Sequence, residues 1–294
     1  MSKLAFVFPG QGSQTVGMEA DLAETTLGKE KFEKAEAILG WSVLDTCRQE
    51  EANLSRTLYT QPCLYVVESI LIDLLIDQVG YLPQYVAGHS LGEYSALYAA
   101  RVFSFEAGLR LVQQRAKLMD TAAGGKMVAL MKVDRAQLES ALEKNPAVVL
   151  ANDNSPQQVV ISGTPEAVDA TLAEVKAKRA VPLNVSGAFH SPLMEGVAQD
   201  YKQLLDEVSF GDAIIPVLSN VNPTPTVEAK ELKSRLMQQM TGTVRWRETL
   251  LNLAEADVSQ LIEVGPGNVL TGLCKRTCPD LELRNITRAA ECQL

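Results

Sequence analysis

The sequence predicts an α/β fold in which a parallel-sheet domain carries a small inserted subdomain. Tyr85–Ala87 is a short apolar strand that enters a glycine turn, and a helical pattern follows directly. Alternation of strand, glycine turn and helix is typical of a parallel sheet. From Met127 to Val185 the order changes to strand, helix, strand, strand, helix, strand. This βαββαβ order is the ferredoxin-like pattern, and the α/β pattern resumes after it.

The elements outside the insert are predicted in chain order. Leu4–Phe8 is continuously apolar and ends in the turn 9–12, which favours a buried strand. Further strands are predicted at Tyr85–Ala87, Ile214–Ser219 and Gln260–Val264. Helices are predicted at Lys31–Leu39, Gln61–Val79, Leu91–Ala100, Phe105–Ala122, Pro192–Val208, Lys230–Met240 and Trp246–Glu255, with a last helix after the turn 265–267.

The insert has its own predicted elements and hinges. Strands are predicted at Met127–Val133, Val148–Ala151, Val159–Ser162 and Val181–Val185, and helices at Arg135–Glu143 and Glu166–Lys178. The pairs 124–125 and 186–187 contain glycine and are predicted hinges. We therefore expect a large catalytic domain formed by 1–125 and 187–294, and a small ferredoxin-like subdomain formed by 126–186.

Charge and composition exclude several classes of protein. The 294 residues carry a net charge of −9, whereas a nucleic-acid binder normally has a basic surplus. The most apolar stretch, Leu64–Val79, contains Glu68, Asp73 and Asp77, so it predicts a buried helix and no membrane span. The N-terminus does not resemble a signal peptide, and the five cysteines are scattered. We expect a cytoplasmic protein with free thiols and no metal site.

Gly88-His89-Ser90-Leu91-Gly92 fits the G-x-S-x-G pattern between a predicted strand and a predicted helix. In that context the sharp turn exposes the serine hydroxyl, and the helix N-terminus directs N–H groups at developing negative charge. Ser90 is therefore the predicted nucleophile. A serine nucleophile needs a base, and the chain has two histidines. His89 adjoins Ser90 on the turn and is expected to point away, so His190 is predicted to be the base.

A second glycine turn, Phe8-Pro9-Gly10-Gln11-Gly12, follows the first strand. It lacks the lysine of a phosphate-binding loop and the spacing of a dinucleotide-binding motif. It is either a plain tight turn or the place where the backbone N–H of Gln11 joins that of Leu91 to hold an oxyanion.

Arg115 lies in the middle of the apolar arc of its predicted helix. The arc comprises Leu111, Val112, Leu118, Met119 and Ala122. The polar residues Arg110, Gln113, Lys117 and Asp120 fall outside it. An inward-facing arginine needs an anionic partner, because burying the charge unpaired is costly. That partner is either a protein carboxylate or the carboxylate of a substrate, for which the guanidinium is a bidentate ligand.

Six blocks along the chain resemble the malonyl-CoA:acyl carrier protein transacylase family of bacterial fatty acid synthesis. They are FPGQGSQTVGM at 8–18, GHSLGEYSAL at 88–97, QRAKLM at 114–119, NSPQQVVISG at 154–163, AFHSPLM at 188–194 and EVGPGNVLTGL at 263–273. The resemblance runs almost end to end, and several blocks in order are far more specific than any one of them.

The resemblance implies an α/β-hydrolase-like catalytic domain and a role for each site residue. Ser90 would be the nucleophile and His190 its general acid and base, and Arg115 would hold the malonyl carboxylate. The oxyanion hole would consist of the backbone N–H groups of Gln11 and Leu91. In this family a backbone carbonyl orients the histidine, and the corresponding residue here is Gln239, seven positions before Trp246.

The resemblance also implies the partners. Malonyl-CoA would be the donor and the phosphopantetheine thiol of an acyl carrier protein the acceptor, with no cofactor because coenzyme A thioester is a substrate. We expect a monomer that supplies extender units for fatty acid synthesis. Carrier proteins of this kind are acidic, so docking requires a basic patch. Two groups of basic residues are candidates for this patch: Lys275, Arg276, Arg284 and Arg288, or Lys176, Lys178 and Arg179. The alternative is that they are solvated surface charges with no partner.

Two other functions are compatible with parts of the pattern. A serine esterase or thioesterase would use the same Ser90–His190 pair, with an Asp or Glu between them in the chain to orient the histidine. Asp153 and Asp169 are candidates, although both lie in the predicted insert. A catalytically silent carrier-binding module is the third possibility, and the combination of Ser90, His190 and Arg115 argues against it.

Overall fold

The computed structural model describes residues 3–78, 80–185 and 187–292, which form an α/β fold with two sheets. The strands are β1 (Lys3–Phe8), β2 (Tyr85–Gly88), β3 (Lys126–Met131), β4 (Val148–Ser155), β5 (Gln158–Gly163), β6 (Arg179–Pro182), β7 (Val217–Leu218), β8 (Val258–Val264) and β9 (Glu282–Ile286). The α-helices span Thr26–Leu39, Val43–Arg48, Glu51–Leu54, Thr57–Asp73, Gly92–Ala99, Phe105–Thr121, Arg135–Lys144, Pro165–Glu174, Glu195–Glu207, Ala229–Gln238, Trp246–Glu255 and Val269–Thr277.

The larger sheet has five strands in the order β7-β2-β1-β8-β9, and every pair is parallel. The smaller sheet is antiparallel, in the order β4-β5-β3-β6. If these four strands are renumbered 1 to 4 in chain order, the sheet order is 2-3-1-4, which is the order of a ferredoxin-like unit. The predicted fold class is thereby confirmed.

The register of the large sheet brings two glycine turns together. Phe8 at the end of β1 pairs with Gly88 at the end of β2, and the His89 N–H donates to the Phe8 carbonyl over 2.9 Å. Since both strands are parallel, the turns that leave them meet at the same edge of the sheet. The turn that carries Gln11 therefore lies against the turn that carries Ser90.

Several predicted elements differ in extent. The helix predicted at Glu166–Lys178 ends at Glu174, and β6 begins at Arg179 and not at Val181, because Arg179 pairs with Met131 of β3. The strand predicted at Ile214–Ser219 is reduced to Val217–Leu218, and proline at the preceding position has no N–H to donate to a neighbouring strand. Strand β9 and the helices Val43–Arg48 and Glu51–Leu54 were not predicted, since their sequences have no continuous apolar pattern.

The helix Thr57–Asp73 is the centre of the larger core and continues into a π-helical turn, Leu74–Gln78. By length and composition alone, Thr57–Asp77 could cross a membrane, yet 94% of its most apolar window is buried inside the fold. It packs against the helix Phe105–Thr121 and the helix Gly92–Ala99, which follows the turn that carries Ser90. This is the arrangement of a core helix, as its sequence predicts.

Strand β4 of the small sheet contacts the rest of the chain. Asn152 forms a bridge with Val244, and Asp153 accepts hydrogen bonds from Arg135 within the insert and from Arg247 outside it, over 2.7 and 2.9 Å. The Asn154 side chain also contacts the His89 Nε2, so the end of β4 lies beside the turn that carries Ser90, here called the nucleophile turn. The domain boundaries at 125/126 and 186/187 stay a prediction, and residue 186 lies outside the described residues.

Candidate active site

Ser90 lies on a sharp turn between β2 and the helix Gly92–Ala99. Its φ is +52°, a conformation that most side chains disfavour. A Cβ at Gly88 would lie 1.9 Å from the Gly92 carbonyl oxygen, and a Cβ at Gly92 would lie 2.0 Å from the Phe8 carbonyl oxygen. Both glycines are therefore required for the turn to close, which explains the G-x-S-x-G spacing in physical terms.

His190 is brought to Ser90 from the opposite side of the site. Its Nε2 lies 2.9 Å from the Ser90 Oγ, and its Nδ1 lies 2.9 Å from the backbone carbonyl oxygen of Gln239. The imidazole is almost completely buried, and His190 also has a positive φ of 57°. Both contacts predicted for this histidine are present in the structure.

The imidazole is held in its neutral form. Burial, followed by the neighbouring Arg115 charge, lowers the pKa of His190 to about 3, although the Gln239 carbonyl acts in the opposite direction. A neutral imidazole has one donor and one acceptor nitrogen. Because Nδ1 faces a carbonyl oxygen, Nδ1 carries the proton and Nε2 is free to accept the Ser90 hydroxyl proton.

This buried histidine makes stability fall in weak acid. The pKa drops from 6.5 to about 3 on folding, so below pH 6.5 the unfolded chain binds a proton that the native state excludes. Stability is complete above pH 6.5 and is lost progressively towards pH 3, at up to about 1.4 kcal/mol per pH unit. We expect His190→Gln to flatten the dependence of the unfolding free energy on pH. Urea unfolding between about pH 5 and 7 measures it.

Burial lowers the pKa of His89 as well, so part of the pH dependence will survive in the His190→Gln protein. The double variant with His89→Gln isolates that part. Equal slopes for the wild type and His190→Gln would contradict a depressed pKa for His190.

Arg115 projects from the helix Phe105–Thr121 into the site, and it is 1% exposed. Its Nη1 donates to the Gln61 side-chain oxygen over 2.7 Å. Its Nη2 donates to the Gln239 side-chain oxygen over 3.0 Å and to the Ser90 Oγ over 3.2 Å. Within the described ranges no carboxylate forms an ion pair with Arg115, and its Nε has no hydrogen-bond partner. The sequence predicts either a protein carboxylate or a substrate carboxylate as the partner of this buried cation. Among the described residues no protein carboxylate has this role.

The side chain of Gln239 connects the charged groups of the site. Its oxygen accepts from Arg115, while its nitrogen donates to the Ser90 carbonyl over 2.9 Å and to the Glu93 carboxylate over 2.7 Å. Burial raises the pKa of Glu93, although hydrogen bonds from the Gln239 side chain and the Asn220 backbone act to lower it. The sequence pointed only to the backbone of Gln239, because no local motif marks its side chain.

Asn220 holds the nucleophile turn and was also missed from sequence. Its side-chain oxygen accepts the Ser90 N–H over 2.7 Å, and its nitrogen donates to the Gly88 carbonyl over 2.6 Å. Gln61, the partner of Arg115, and Asn154, which contacts the His89 Nε2 over 2.8 Å, complete the set of missed residues. The side-chain contacts of Gln239, Asn220, Gln61 and Asn154 have no local sequence signal, because their partners are distant in the chain.

We expect Asn220→Ala to destabilise the protein and to slow acylation of Ser90. The substitution removes the partner of the Ser90 N–H and of the Gly88 carbonyl, at a cost of about 2–6 kcal/mol for the two groups. Denaturant unfolding measures the first effect and burst kinetics the second. Asn53→Ala, at an exposed helical position, is the matched control and should change neither quantity. An Asn220→Ala protein as stable as that control would contradict the role assigned here.

The predicted oxyanion donors lie on the two turns that meet beside Ser90. Gln11 and Leu91 both line the cavity, and neither backbone N–H donates to another described residue. A Cβ at Gly10 would lie 2.4 Å from the His89 carbonyl oxygen, so glycine is needed for this close approach. Two free N–H groups near a nucleophile are what an oxyanion hole requires.

A cavity of about 210 Å³ opens above Ser90. Its polar floor consists of Gln11, Gln61, Ser90, Arg115 and His190. Its apolar walls come from the small sheet, the helix Phe105–Thr121, the last helix and loop residues. They include Met119, Met127, Ala129, Val160, Leu183, Val185, Phe189, Leu270 and Leu273. A small acyl group with one charged end fits this distribution of polar and apolar surface.

The acidic residues that an esterase would need are engaged elsewhere. Asp153 is paired with Arg135 and Arg247, and Asp169 with Lys126. The imidazole Nδ1 faces a carbonyl oxygen instead. In the part of the chain that the structure covers, no group of His, Cys, Asp and Glu is arranged to hold a metal ion, and all five cysteines are free and buried.

The family model described as "Acyl transferase domain" matches residues 5–291. The chain belongs to the acyl transferase domain family. It is 62% identical over 284 residues to the malonyl CoA-acyl carrier protein transacylase of Synechocystis, an alignment that covers 97% of each protein. The resemblance predicted from the six sequence blocks is thereby confirmed.

Solved structures of this acyl transferase family agree with the fold. The crystal structure of Synechocystis malonyl-CoA:ACP transacylase matches with a TM-score of 0.97 at 61% identity, over 99% of both chains. A malonyl-transacylase in complex with its type II PKS acyl-carrier protein matches with a TM-score of 0.93 at 38% identity, over 99% of this chain and 98% of that one.

Proposed function

We propose that this acyltransferase moves a malonyl group from malonyl-CoA to the phosphopantetheine thiol of an acyl carrier protein, through an ester on Ser90. The observation that carries the proposal is Arg115, a buried cation 3.2 Å from the nucleophile with no carboxylate partner among the described residues. A substrate carboxylate would satisfy it. The relatives named as malonyl transacylases support the same donor and acceptor.

In the first half-reaction the Ser90 hydroxyl attacks the thioester carbonyl. Its proton passes to the His190 Nε2, which lies 2.9 Å away. The backbone N–H groups of Gln11 and Leu91 hold the tetrahedral oxyanion, and the Gln239 carbonyl accepts from the imidazolium Nδ1–H. His190 then returns the proton to the departing coenzyme A thiolate, and malonyl-Ser90 remains.

In the second half-reaction the carrier thiol enters the same cavity. His190 takes the thiol proton, the thiolate attacks the ester carbonyl, and the proton is returned to Ser90. This is ping-pong covalent catalysis. The proposed reaction uses no bound cofactor, because the coenzyme A thioester is itself a substrate.

We infer a cytoplasmic monomer that supplies extender units for fatty acid synthesis. Exposed basic side chains at the end of the helix Val269–Thr277, Lys275 and Arg276, and those that precede β6, Lys176 and Lys178, are candidates for docking an acidic carrier. Residues in the first turns of that helix line the cavity, which places the former pair on an element of the site.

The test is intact mass spectrometry after brief mixing with malonyl-CoA, acetyl-CoA or buffer. One malonyl group on the wild type, scarce labelling by acetyl-CoA, and loss of the adduct on addition of holo carrier protein are expected. Rapid release of free malonate without a carrier would identify a thioesterase instead. Absence of both adduct and turnover would identify a binding module.

A further inference from the structure

The catalytic pair has an unusual electrostatic setting. In a Ser-His-Asp triad, a carboxylate on the histidine stabilises the imidazolium that forms when serine loses its proton. Here the His190 Nδ1 faces only the neutral Gln239 carbonyl. On its other side His190 contacts Ser90, which accepts a hydrogen bond from the positively charged Arg115. The nearest charge along these hydrogen bonds is therefore the positive guanidinium, which destabilises an imidazolium.

The groups that surround His190 leave that charge uncompensated in the free protein. They are Arg115 from the helix Phe105–Thr121, His89 from the nucleophile turn, and the backbone of Gln239 and Gly242. The acidic residue of the site, Glu93, is separated from Arg115 by the Gln239 amide. Arg115, His190, Gln239 and Glu93 are buried, so charges on these residues interact more strongly than they would in water. Placing a proton on His190 is consequently unfavourable while Arg115 stays unpaired.

We propose that Arg115 acts as a switch on the catalytic pair: when a substrate carboxylate neutralises the guanidinium, His190 becomes a stronger base, so that the correct substrate completes the catalytic machinery. This inference rests on the proposed malonyl transfer and adds to it. The substrate carboxylate takes over, through Arg115, the electrostatic part that an aspartate plays in a triad. Recognition of malonate then raises the rate of the chemical step as well as the affinity.

The arginine has the donors that this role requires. Its Nη1 is engaged by Gln61, and one Nη2 hydrogen by Gln239. Its Nε has no partner, and the second Nη2 hydrogen is directed at the Ser90 Oγ. Nε and Nη2 form one edge of the guanidinium, which is the edge that binds a carboxylate with two parallel hydrogen bonds. Arg115 also lines the cavity, so a carboxylate that enters the cavity meets this charged group.

The proton transfer that the switch controls is the first one of the reaction. The Ser90 Oγ–H bond breaks, its proton goes to the His190 Nε2, and the Oγ lone pair forms the bond to the thioester carbon. The imidazolium that results lies next to Arg115. A paired guanidinium no longer repels it, whereas an unpaired one does.

The test measures the His190 pKa directly by ¹⁵N NMR of histidine-labelled protein, in which the chain's two histidines give few signals. The Ser90→Ala protein holds thioesters without turnover. We expect the His190 pKa to rise by roughly 1–3 units when malonyl-CoA saturates it, as expected for removal of a like charge, and to stay unchanged with acetyl-CoA. An imidazole that remains neutral down to acid unfolding in both complexes, or responds equally in both, overturns the proposal.

Variants of Arg115 give a second measurement. Arg115→Gln should raise the His190 pKa in the free protein, and malonyl-CoA should then produce no further change. Arg110→Gln, at an exposed position of the same helix, is the matched control and should leave the free-protein pKa unaltered. An Arg115→Gln protein with the His190 pKa of that control also overturns the switch. Two measurements on the wild type test the proposed function separately: calorimetric binding of malonyl-CoA and malonylation of the carrier. If both are observed while the His190 pKa does not respond, the switch fails and the proposed function stands.

Discussion

Replacement of Ser90 by alanine is expected to reduce malonyl transfer by roughly 10⁴-fold or more and to abolish the covalent adduct. The Ser90 Oγ is the atom that contacts both the His190 Nε2 and the Arg115 Nη2, so no neighbouring hydroxyl can replace it. The cavity, the oxyanion donors and the arginine remain, and substrate binding should survive. Steady-state carrier malonylation, together with intact mass after mixing with malonyl-CoA, measures both effects.

His190→Ala should lower the rate to a similar extent, and the double variant should be little worse than either single one, because the two residues act as a unit. Ser209→Ala, at an exposed position, is the control and should keep full activity. Transfer at near the wild-type rate by Ser90→Ala would remove the covalent mechanism altogether. Additive losses in the double variant would show that Ser90 and His190 act independently.

The nucleophile turn could be predicted because its determinants are local. Gly88 and Gly92 lie within two positions of Ser90, and each is needed to avoid a backbone clash that the structure places at about 2 Å. The apolar strand before the turn and the helix after it are likewise properties of neighbouring residues. His190 could be assigned only because the chain has a single other histidine.

The residues that hold the site in place could not be predicted, because their contacts join positions far apart in the chain. Asn220 contacts a turn about 130 positions earlier, and Gln239 lies 146 positions from Glu93. No periodicity carries that information. Gln113 shows the same limit: it was placed outside the apolar arc of its helix, yet it is buried because its side-chain nitrogen reaches the Leu39 carbonyl over 3.3 Å.

Strand β9 was missed for a different reason. Its sequence, Glu282–Ile286, has two charged residues and an asparagine, which is an unfavourable pattern for a buried parallel strand. Among the described residues the strand lies at the edge of the sheet and pairs only with β8, so one of its faces and one of its edges need not be apolar. The Asn285 side chain donates to Glu263, whose carboxylate accepts two N–H groups at the start of the last helix. A polar sequence at this place therefore stabilises the turn that borders the cavity.

Arg115→Ala is expected to lower kcat/KM for malonyl-CoA by roughly 10²–10³-fold, the loss that follows from removing one partner of a buried charge pair. The same substitution should not lower acylation by acetyl-CoA, which has no carboxylate to lose. Removing the cation next to His190 should even accelerate it, since burial and Arg115 together hold the pKa of this histidine at about 3. The ratio of the two rate constants should therefore invert or approach unity.

Arg110→Ala on the same helix is the matched control, because it removes an equal charge from an exposed position. Gln61→Ala supplies a graded case: it removes one hydrogen bond to the Arg115 Nη1 and should weaken malonyl selectivity without abolishing it. Rapid-quench acylation with each thioester separates binding from the chemical step. If Arg115→Ala slowed malonyl-CoA and acetyl-CoA by the same factor, the arginine would have a purely structural role, and the basis for malonyl selectivity would have to lie in the walls of the cavity.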